Sequence, residues 1–362
     1  MKRFLKVLLA LAAVFAVYMA VVFAHGYATD WQPPETTPLS PTQAAAQAQV
    51  RDSLVSFVIW NVGFGGNGAA SDFFYDEVGM WYSGGSMVHS PKPLVDQYVA
   101  GTLDFLRNTR ADVFLLQEVD FESDRSYRRR QYDEYCAALP GFAATYAQNY
   151  NCPRVPIPLL EPWNAYGAVN SGLATFSRWQ PSEAVRHQLP GQYPMPDRIF
   201  QLDRCVALHR FPTGRGGKDL VVLNIHNSAY DPGDKIKAIQ LPYLRDLALR
   251  EFGRGNYVVI GGDWNQCPPF FKFDAFMPGK ADGHMQGNVP ADFFPEDWRF
   301  AYDPATPTNR KLRDPYIKGV TFETLIDFFV VSPNVQVKAV RGIGQGFAFS
   351  DHQPVYLEAI LK

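Results

Sequence analysis

The sequence predicts an α/β protein in which two β-sheets pack on each other with helices outside. Three observations carry that reading. Strand-like runs recur from residue 53 to the end of the chain; two of them, 204–210 and 220–226, are joined as a hairpin through PTGRGGKD; and helical stripes are few. Many strands with hairpins and few helices fit two packed sheets better than one parallel sheet.

In chain order, Lys2, Arg3 and Lys6 precede an uncharged apolar run of 18 residues, 7–24. That length lies between a long signal-peptide core and a short spanning helix, and both readings export the remainder of the chain. The basic flank keeps the start of the chain in the cytoplasm and the domain outside it. The length favours an uncleaved anchor over residues 1–27, with secretion resulting if the run is cleaved after Ala24. Residues 28–51, rich in Pro, Thr, Ala and Gln, read as a linker, and residues 52–362 as one catalytic-size domain.

Within the domain, 53–61 alternates and then turns apolar, as a first strand does. Residues 91–109 place Leu94, Val95, Tyr98, Val99, Leu103 and Leu106 on a helical stripe, and 112–118 reads as a strand. Further strands are expected at 171–178, 204–210 and 220–226. A helix is expected over 234–252, with Ile236, Ile239, Leu244, Leu247, Ala248 and Phe252 inward, and Pro242 either kinking it or marking its true start. The remaining strands are 256–262, 325–332, 335–340 and 354–361.

With 34 basic and 36 acidic side chains the formal charge is −2, so the chain as a whole does not attract a polyanion. Cys136 and Cys152 lie close enough in sequence for a loop-closing disulfide, and buried free thiols explain them equally well. No CxxC spacing suggests zinc.

Strand after strand ends in polar groups: Asn61, then Gln117 and Glu118, then His226 and Asn227, then Asp263 and Asn265 after Gly261 and Gly262. Asp327 interrupts an apolar run, and Asp351 and His352 precede the final strand. Alternation puts Asp263 and Asn265 on one side of their strand and Trp264 on the other. One such ending is an ordinary strand terminator. A convergent set of Glu, Asp, Asn and His without a cysteine cluster describes a site for a hard cation and oxygen chemistry.

The motifs WNVG, LLQEV, SGLATFSR, LNIHNSAYD, GGDWN, LIDFFVVS and SDHQPV, in that order over residues 60–355, resemble the endonuclease/exonuclease/phosphatase superfamily. The resemblance implies a four-layer α/β sandwich of two mainly antiparallel sheets flanked by helices. It implies Glu118 as principal Mg²⁺ ligand, with Mn²⁺ as the alternative ion, Asn61 beside it and Asp351 assisting. Asp263 orients or deprotonates the attacking water, and Asn265 binds a phosphate oxygen. His352, held in its tautomer by Asp327, binds the phosphoryl group, and His226 faces the scissile phosphate. Arg204 and Asn227 complete the phosphate contacts. The chain departs from abasic-site enzymes at Gly63, where those have an aspartate, which leaves the metal shell one carboxylate thinner.

The residue types suit the chemistry independently. Phosphate-ester hydrolysis needs a cation against the non-bridging oxygens, a base to aim water in line, and donors that tighten as charge develops. The expected substrate is a phospholipid headgroup or small organic phosphate. A nuclease of the same mechanism and a catalytically inactive binding module are the alternatives, and no protein partner is implied. Two basic runs, Arg125 with Arg128, Arg129 and Arg130, and Arg310 with Lys311, Arg313 and Lys318, are the places where nucleic acid would bind. Against that, Trp81, Tyr82, Pro156, Pro158 and Trp163 suggest a walled pocket or a lipid surface.

Overall fold

The structure is a computed structural model and describes residues 1–76, 79–229, 231, 233, 235–281 and 287–362. Tyr230 of the motif LNIHNSAYD, Asp234 at the expected start of a helix, and His284, which matches no motif, lie outside the described residues. In chain order the elements are α1 (Lys2–Ala28), β1 (Thr36–Pro38), β2 (Leu54–Asn61), α2 (Lys92–Asn108), β3 (Val113–Asp120), α3 (Gln131–Ala138), β4 (Ala143–Val155), β5 (Gly167–Ser177), β6 (Glu183–Gln188), β7 (Cys205–Arg215) and β8 (Lys218–His226). They continue as α4 (Lys237–Gly253), β9 (Tyr257–Asp263), β10 (Arg299–Ala301), β11 (Asn309–Arg310), β12 (Glu323–Thr324), β13 (Asp327–Val331), β14 (Val335–Gly342) and β15 (Val355–Leu361).

Two mixed sheets form, one of seven strands in the order β1-β6-β7-β8-β9-β13-β10 and one of six in the order β14-β15-β2-β3-β5-β4. Each contains one parallel pair, β8 with β9 and β2 with β3, and each such pair is joined by a helical crossover, α4 and α2. A parallel pair requires that crossover, because its connection must return to the starting end of the sheet. Phe57, Ile59, Leu115, Val222, Val259, Phe329 and Leu357 interdigitate between the sheets. α4 packs on the outer face of the larger sheet, against Val258, Ile260 and Phe328 among others. α2 and α3 cover Val58, Trp60, Phe114 and Phe176 on the outer face of the smaller. The result is the expected four-layer sandwich.

Differences from the sequence reading have local causes. The stretch read as a linker is bound to the domain: Thr36–Pro38 pairs with β6 as an edge strand, Thr42 N donates to Ala144 O, and Val50 is buried in the inter-sheet core. Its Pro-rich composition suits an edge strand as well as a linker, since an edge needs hydrogen bonds on one side only. In α4 the buried stripe runs through Gln240, Leu241, Leu244, Leu247, Ala248 and Glu251, which turns Ile239 out to solvent. Pro242 lies inside this helix and does not start it. All four cysteines are free thiols; Cys136 lies on α3 and Cys152 on β4.

The two glycines of β9 are explained by close approach. A Cβ on Gly261 would stand 2.7 Å from Ile59 and from the Phe329 ring, where the sheets meet. Gly262 has φ +146, and a Cβ there would lie 2.1 Å from the Ile225 carbonyl oxygen. Bulkier residues would push the strand away from both neighbours just before Asp263.

Candidate active site

The topology alone aligns much of the site. In the larger sheet His226, Asp263 and Asp327 are register partners across three adjacent strands, His226 opposite Asp263 and Asp263 opposite Asp327. In the smaller sheet Asn61 is opposite Gln117, with Glu118 next. Glu118 sits where the pairing of β3 with β5 shifts register, and its φ of +54 is unusual for a residue with a side chain. Such strained backbone persists where the surroundings hold it, and it concentrates at functional sites. Asn61 ties the two sheets together: its Nδ2 donates to Glu118 Oε1 and to Asp263 Oδ2, each at 3.1 Å.

The two histidines are held in opposite states. His352 Nδ1 lies 2.8 Å from Asp327 Oδ2, and its Nε2 faces Asp263 Oδ2 at 3.7 Å and Asp351 Oδ2 at 4.0 Å. Burial opposes its charge, but Asp327, Asp263 and Asp351 prevail and hold the imidazolium well above the usual histidine range. The Asn309 carboxamide lies 3.0 Å from Nε2 and can offer either end, accepting from the imidazolium or donating to the neutral ring. Burial pushes Asp327 up to about 6, against the pull of His352. His226 is driven well below the usual range by burial, then by Arg204 and His352, although its Nε2 is 3.4 Å from Asp263 Oδ2. A neutral and a charged imidazole thus flank one carboxylate.

Asp263 is fixed by β9 and by the Asn265 backbone N–H, which donates to Oδ1 at 2.9 Å. Asn265, at φ +49, donates through Nδ2 to the Asn227 carbonyl. Around them lie buried donors without a protein acceptor among the described residues, Arg204 Nε and Nη1, Asn227 Nδ2 and Ser228 Oγ, and His226 Nδ1 likewise has no partner among them. Buried donors left without partners are costly, so a set of them beside the carboxylates describes a cradle for an oxyanion.

The residues present fit a divalent cation. Glu118 is raised by burial and then by the charge of Asp351, and among the described hydrogen bonds its Oε2 has no partner. Two carboxylates and a carboxamide oxygen suit a hard ion. Gly63 makes room for this: a Cβ there would lie 2.8 Å from Asp351 Oδ1, so Asp351 occupies the space that a side chain at position 63 would need. Asp263, Asp327 and His352 also bring ligand atoms within 4.8 Å of one another, but the His352–Asp327 hydrogen bond already engages two of the three.

The chain's similarity to known proteins agrees with this geometry. Residues 58–352 match the model of the Endonuclease/Exonuclease/phosphatase family. The chain belongs to that family. It is accordingly a metal-dependent phosphoric ester hydrolase by class, the family comprising phosphoesterases, nucleases and phosphatases. No curated protein matches it by sequence. Among solved structures it is similar in fold to an endonuclease/exonuclease/phosphatase from Beutenbergia cavernae DSM 12333, at 17% identity and TM-score 0.53, covering 85% of this chain and 72% of that one. It is similar also to a family protein from Leptotrichia buccalis C-1013-b, at 12% identity and TM-score 0.53, covering 84% and 99%. The human Nocturnin catalytic domain with bound sulfate anion matches at 14% identity and TM-score 0.51, covering 87% and 97%.

The structure brings Asn61, Glu118, Arg204, His226, Asn227, Asp263, Asn265, Asp327, Asp351 and His352 to one end of the sandwich, but Gln117 does not join them. Its Nε2 donates instead to Asn224 Oδ1 between the sheets. Three residues were not anticipated: Asn309 beside His352, Thr308 whose Oγ1 accepts from Asp327 N, and Lys237 whose Nζ reaches Asn265 O at 3.2 Å. Thr308 and Asn309 lie in or next to a two-residue strand that no pattern signals, and Lys237 reads as an exposed position at the start of a helix.

The run 125–130 and Arg310 are committed elsewhere. Arg125, 5% exposed, pairs with buried Asp120 at 2.7 Å and lies 3.9 Å over the Phe64 ring. Arg128 pairs with Asp124, Arg129 with Asp96 and Glu134, and Arg130 with Glu122 and Asp133. Arg310 is buried and donates to the carbonyls of Asn67, Gly68, Ser71, Lys311 and Asp314, holding the glycine loop after Asn61. The expected aromatic pocket is also different: Pro156 and Pro158 are buried, whereas Trp81, Tyr82 and Trp163 face outward.

Proposed function

We propose that this protein is an exported, membrane-anchored, Mg²⁺-dependent phosphoesterase that hydrolyses a phospholipid headgroup or small organic phosphate by in-line attack of water. The observation that carries the reading is the juxtaposition of Asp263, flanked by neutral His226 and charged His352, with the donors of Arg204 and Asn227 that have no partner among the described residues. Glu118, Asn61 and Asp351 would hold the cation. When bound, it offsets charge on a non-bridging phosphate oxygen. Asn61 and the Asn265 backbone N–H hold Asp263 in place, and its carboxylate takes the proton of the attacking water. His352 donates to the phosphoryl group while Asp327 fixes its ring through Nδ1. Arg204, Asn227 and Asn265 bind the remaining oxygens as negative charge grows in the transition state.

The membrane part rests on α1, an apolar 27-residue helix near the N-terminus that is long enough to cross a bilayer. Nuclease activity of the same mechanism is disfavoured because each arginine of the run 125–130, one of the two basic runs, is paired with an acidic neighbour. The test uses the full chain in detergent micelles, assayed against phospholipids, small mono- and diesters, plasmid DNA and RNA. Chelation should abolish turnover and Mg²⁺ or Mn²⁺ should restore it. Unchanged turnover in excess chelator would remove the mechanism, and plasmid nicking at physiological salt without hydrolysis of lipids or small esters would replace the substrate class.

A further inference from the structure

Two loops that pack on each other leave large aromatic and aliphatic side chains in solvent. Trp163 is 82% exposed, Trp81 53%, Leu160 51% and Tyr82 50%. The loops are zipped together and not loose: Leu159 N donates to Met80 O at 2.8 Å, Leu160 N to Trp81 O at 2.9 Å, and Glu161 Oε1 accepts from the Ser83 N–H and hydroxyl. A fixed platform that displays two tryptophans, a tyrosine and a leucine together is not an ordinary scatter of surface hydrophobics.

The platform shares its foundation with the apolar helix. Phe74, Val88, Tyr150, Cys152, Val155, Tyr166 and Val169 form one cluster, and Ile157 and Phe200 pack on it. Residues 74 and 88 bracket one loop of the platform, and residues 155 and 166 bracket the other. Phe200 meets Phe23 of α1 with ring centroids 6.0 Å apart, and a Cβ on Gly26 would lie 2.7 Å from Ile199. Arg198 pairs with Asp30 just beyond the helix, at 2.5 Å. These contacts seat the end of α1 on the domain, so the helix does not hang from a flexible tether. Tyr166 belongs to the same cluster and accepts from Arg125 Nη1, the cation whose field reaches Glu118.

We propose that the loop platform of Trp81, Tyr82, Leu160 and Trp163 lies in the headgroup region of the bilayer that α1 enters, so that the site works on phosphate esters held at the lipid surface. This deepens the reading of a membrane-anchored phosphoesterase and rests on it. A lipid surface is the occupant that fits, because Trp and Tyr combine an apolar body with a polar tip and collect at the membrane–water boundary. The apolar helix seated on the same cluster brings that boundary to them.

The test places the full chain in phosphatidylcholine vesicles containing lipid brominated high on an acyl chain, and compares it with the double variant Trp81→Gln, Trp163→Gln. Both positions are exposed and outside the catalytic set, so the fold and hydrolysis of a soluble phosphate ester should be unchanged. Bromine quenching of tryptophan fluorescence should fall by at least half in the variant, and hydrolysis of a vesicle-embedded ester should fall several-fold. Equal quenching in the two proteins would overturn the platform's placement. Quenching needs no turnover, so a platform that is quenched in a protein inactive on every ester would count against the phosphoesterase reading and not against the placement.

Discussion

Asp263 has no freedom to do anything but face the centre of the site: its Oδ1 is engaged by the Asn265 backbone and its Oδ2 by Asn61. Replacing it by Asn keeps the shape and removes the base. Asp263→Asn, Glu118→Gln and His352→Ala should each lower kcat by roughly 10²–10⁴-fold, with circular dichroism and melting temperature close to wild type. A folded variant with full activity would remove that residue from the mechanism. Arg204 makes a sharper case. It is 6% exposed, and its Nε and Nη1 have no partner among the described residues, which costs stability if the site serves nothing. Arg204→Met should leave the melting temperature unchanged or raised while kcat/KM falls. A variant that melts lower and stays fully active would make Arg204 a structural residue.

Elements were more legible than sites. β2, α2, β3, β8, β9 and β15 obey their sequence patterns because each buries a continuous apolar face, Val95, Tyr98, Val99 and Leu106 on α2 being an example. β1, β10, β11 and β12 are two or three residues long and exist only by pairing with a strand distant in sequence, and no pattern announces them. β4, β6 and α3 are longer and were missed as well, because polar residues interrupt their apolar positions. The contacts between elements also assigned a role that no motif suggested. His209 on β7 stacks on Phe211 and shares a 2.6 Å hydrogen bond with Thr145 of β4, linking the two sheets. Burial pushes its pKa down to about 4. The unfolded chain takes up this proton as pH falls below about 6.5 and the folded chain does not until lower pH, so the stabilisation is complete above that value and is lost on acidification, by up to about 1.4 kcal/mol per pH unit. Chemical denaturation at about pH 7 and about pH 5 should show that loss in wild type and a smaller one in His209→Gln. Identical slopes would mean that other groups dominate acid unfolding.

For the whole molecule, the near-balance of 34 basic and 36 acidic side chains and the pairing of the arginines in 125–130 predict that catalysis on a lipid or small ester survives added salt. Activity that collapses between low and physiological salt would point to a polyanionic substrate. The position of α1 makes a separate prediction about the cell. Membrane fractions should retain the chain with its N-terminus intact, and a periplasm-dependent reporter fused after residue 362 should be active. A mature N-terminus at His25 would replace the anchor by a signal peptide and leave export standing.

The arrangement in layers and most members of the site could be read from the chain before any coordinates, because both arise from local rules. Alternation and helical stripes record which faces are buried, and polar residues at the carboxyl ends of apolar strands record where a sheet stops and chemistry begins. The sequence could not say which polar ends would meet. Glu118 and Asp263 lie 145 residues apart, and they share Asn61 only because the two parallel pairs present their carboxyl ends at the same end of the sandwich. Nor could it divide the charged residues into working and structural ones. Arg125 and Arg204 look alike in the chain, but Arg125 is matched by Asp120 while Arg204 has donors with no partner among the described residues, and that contrast depends on which neighbours the packed sheets bring within a few ångströms.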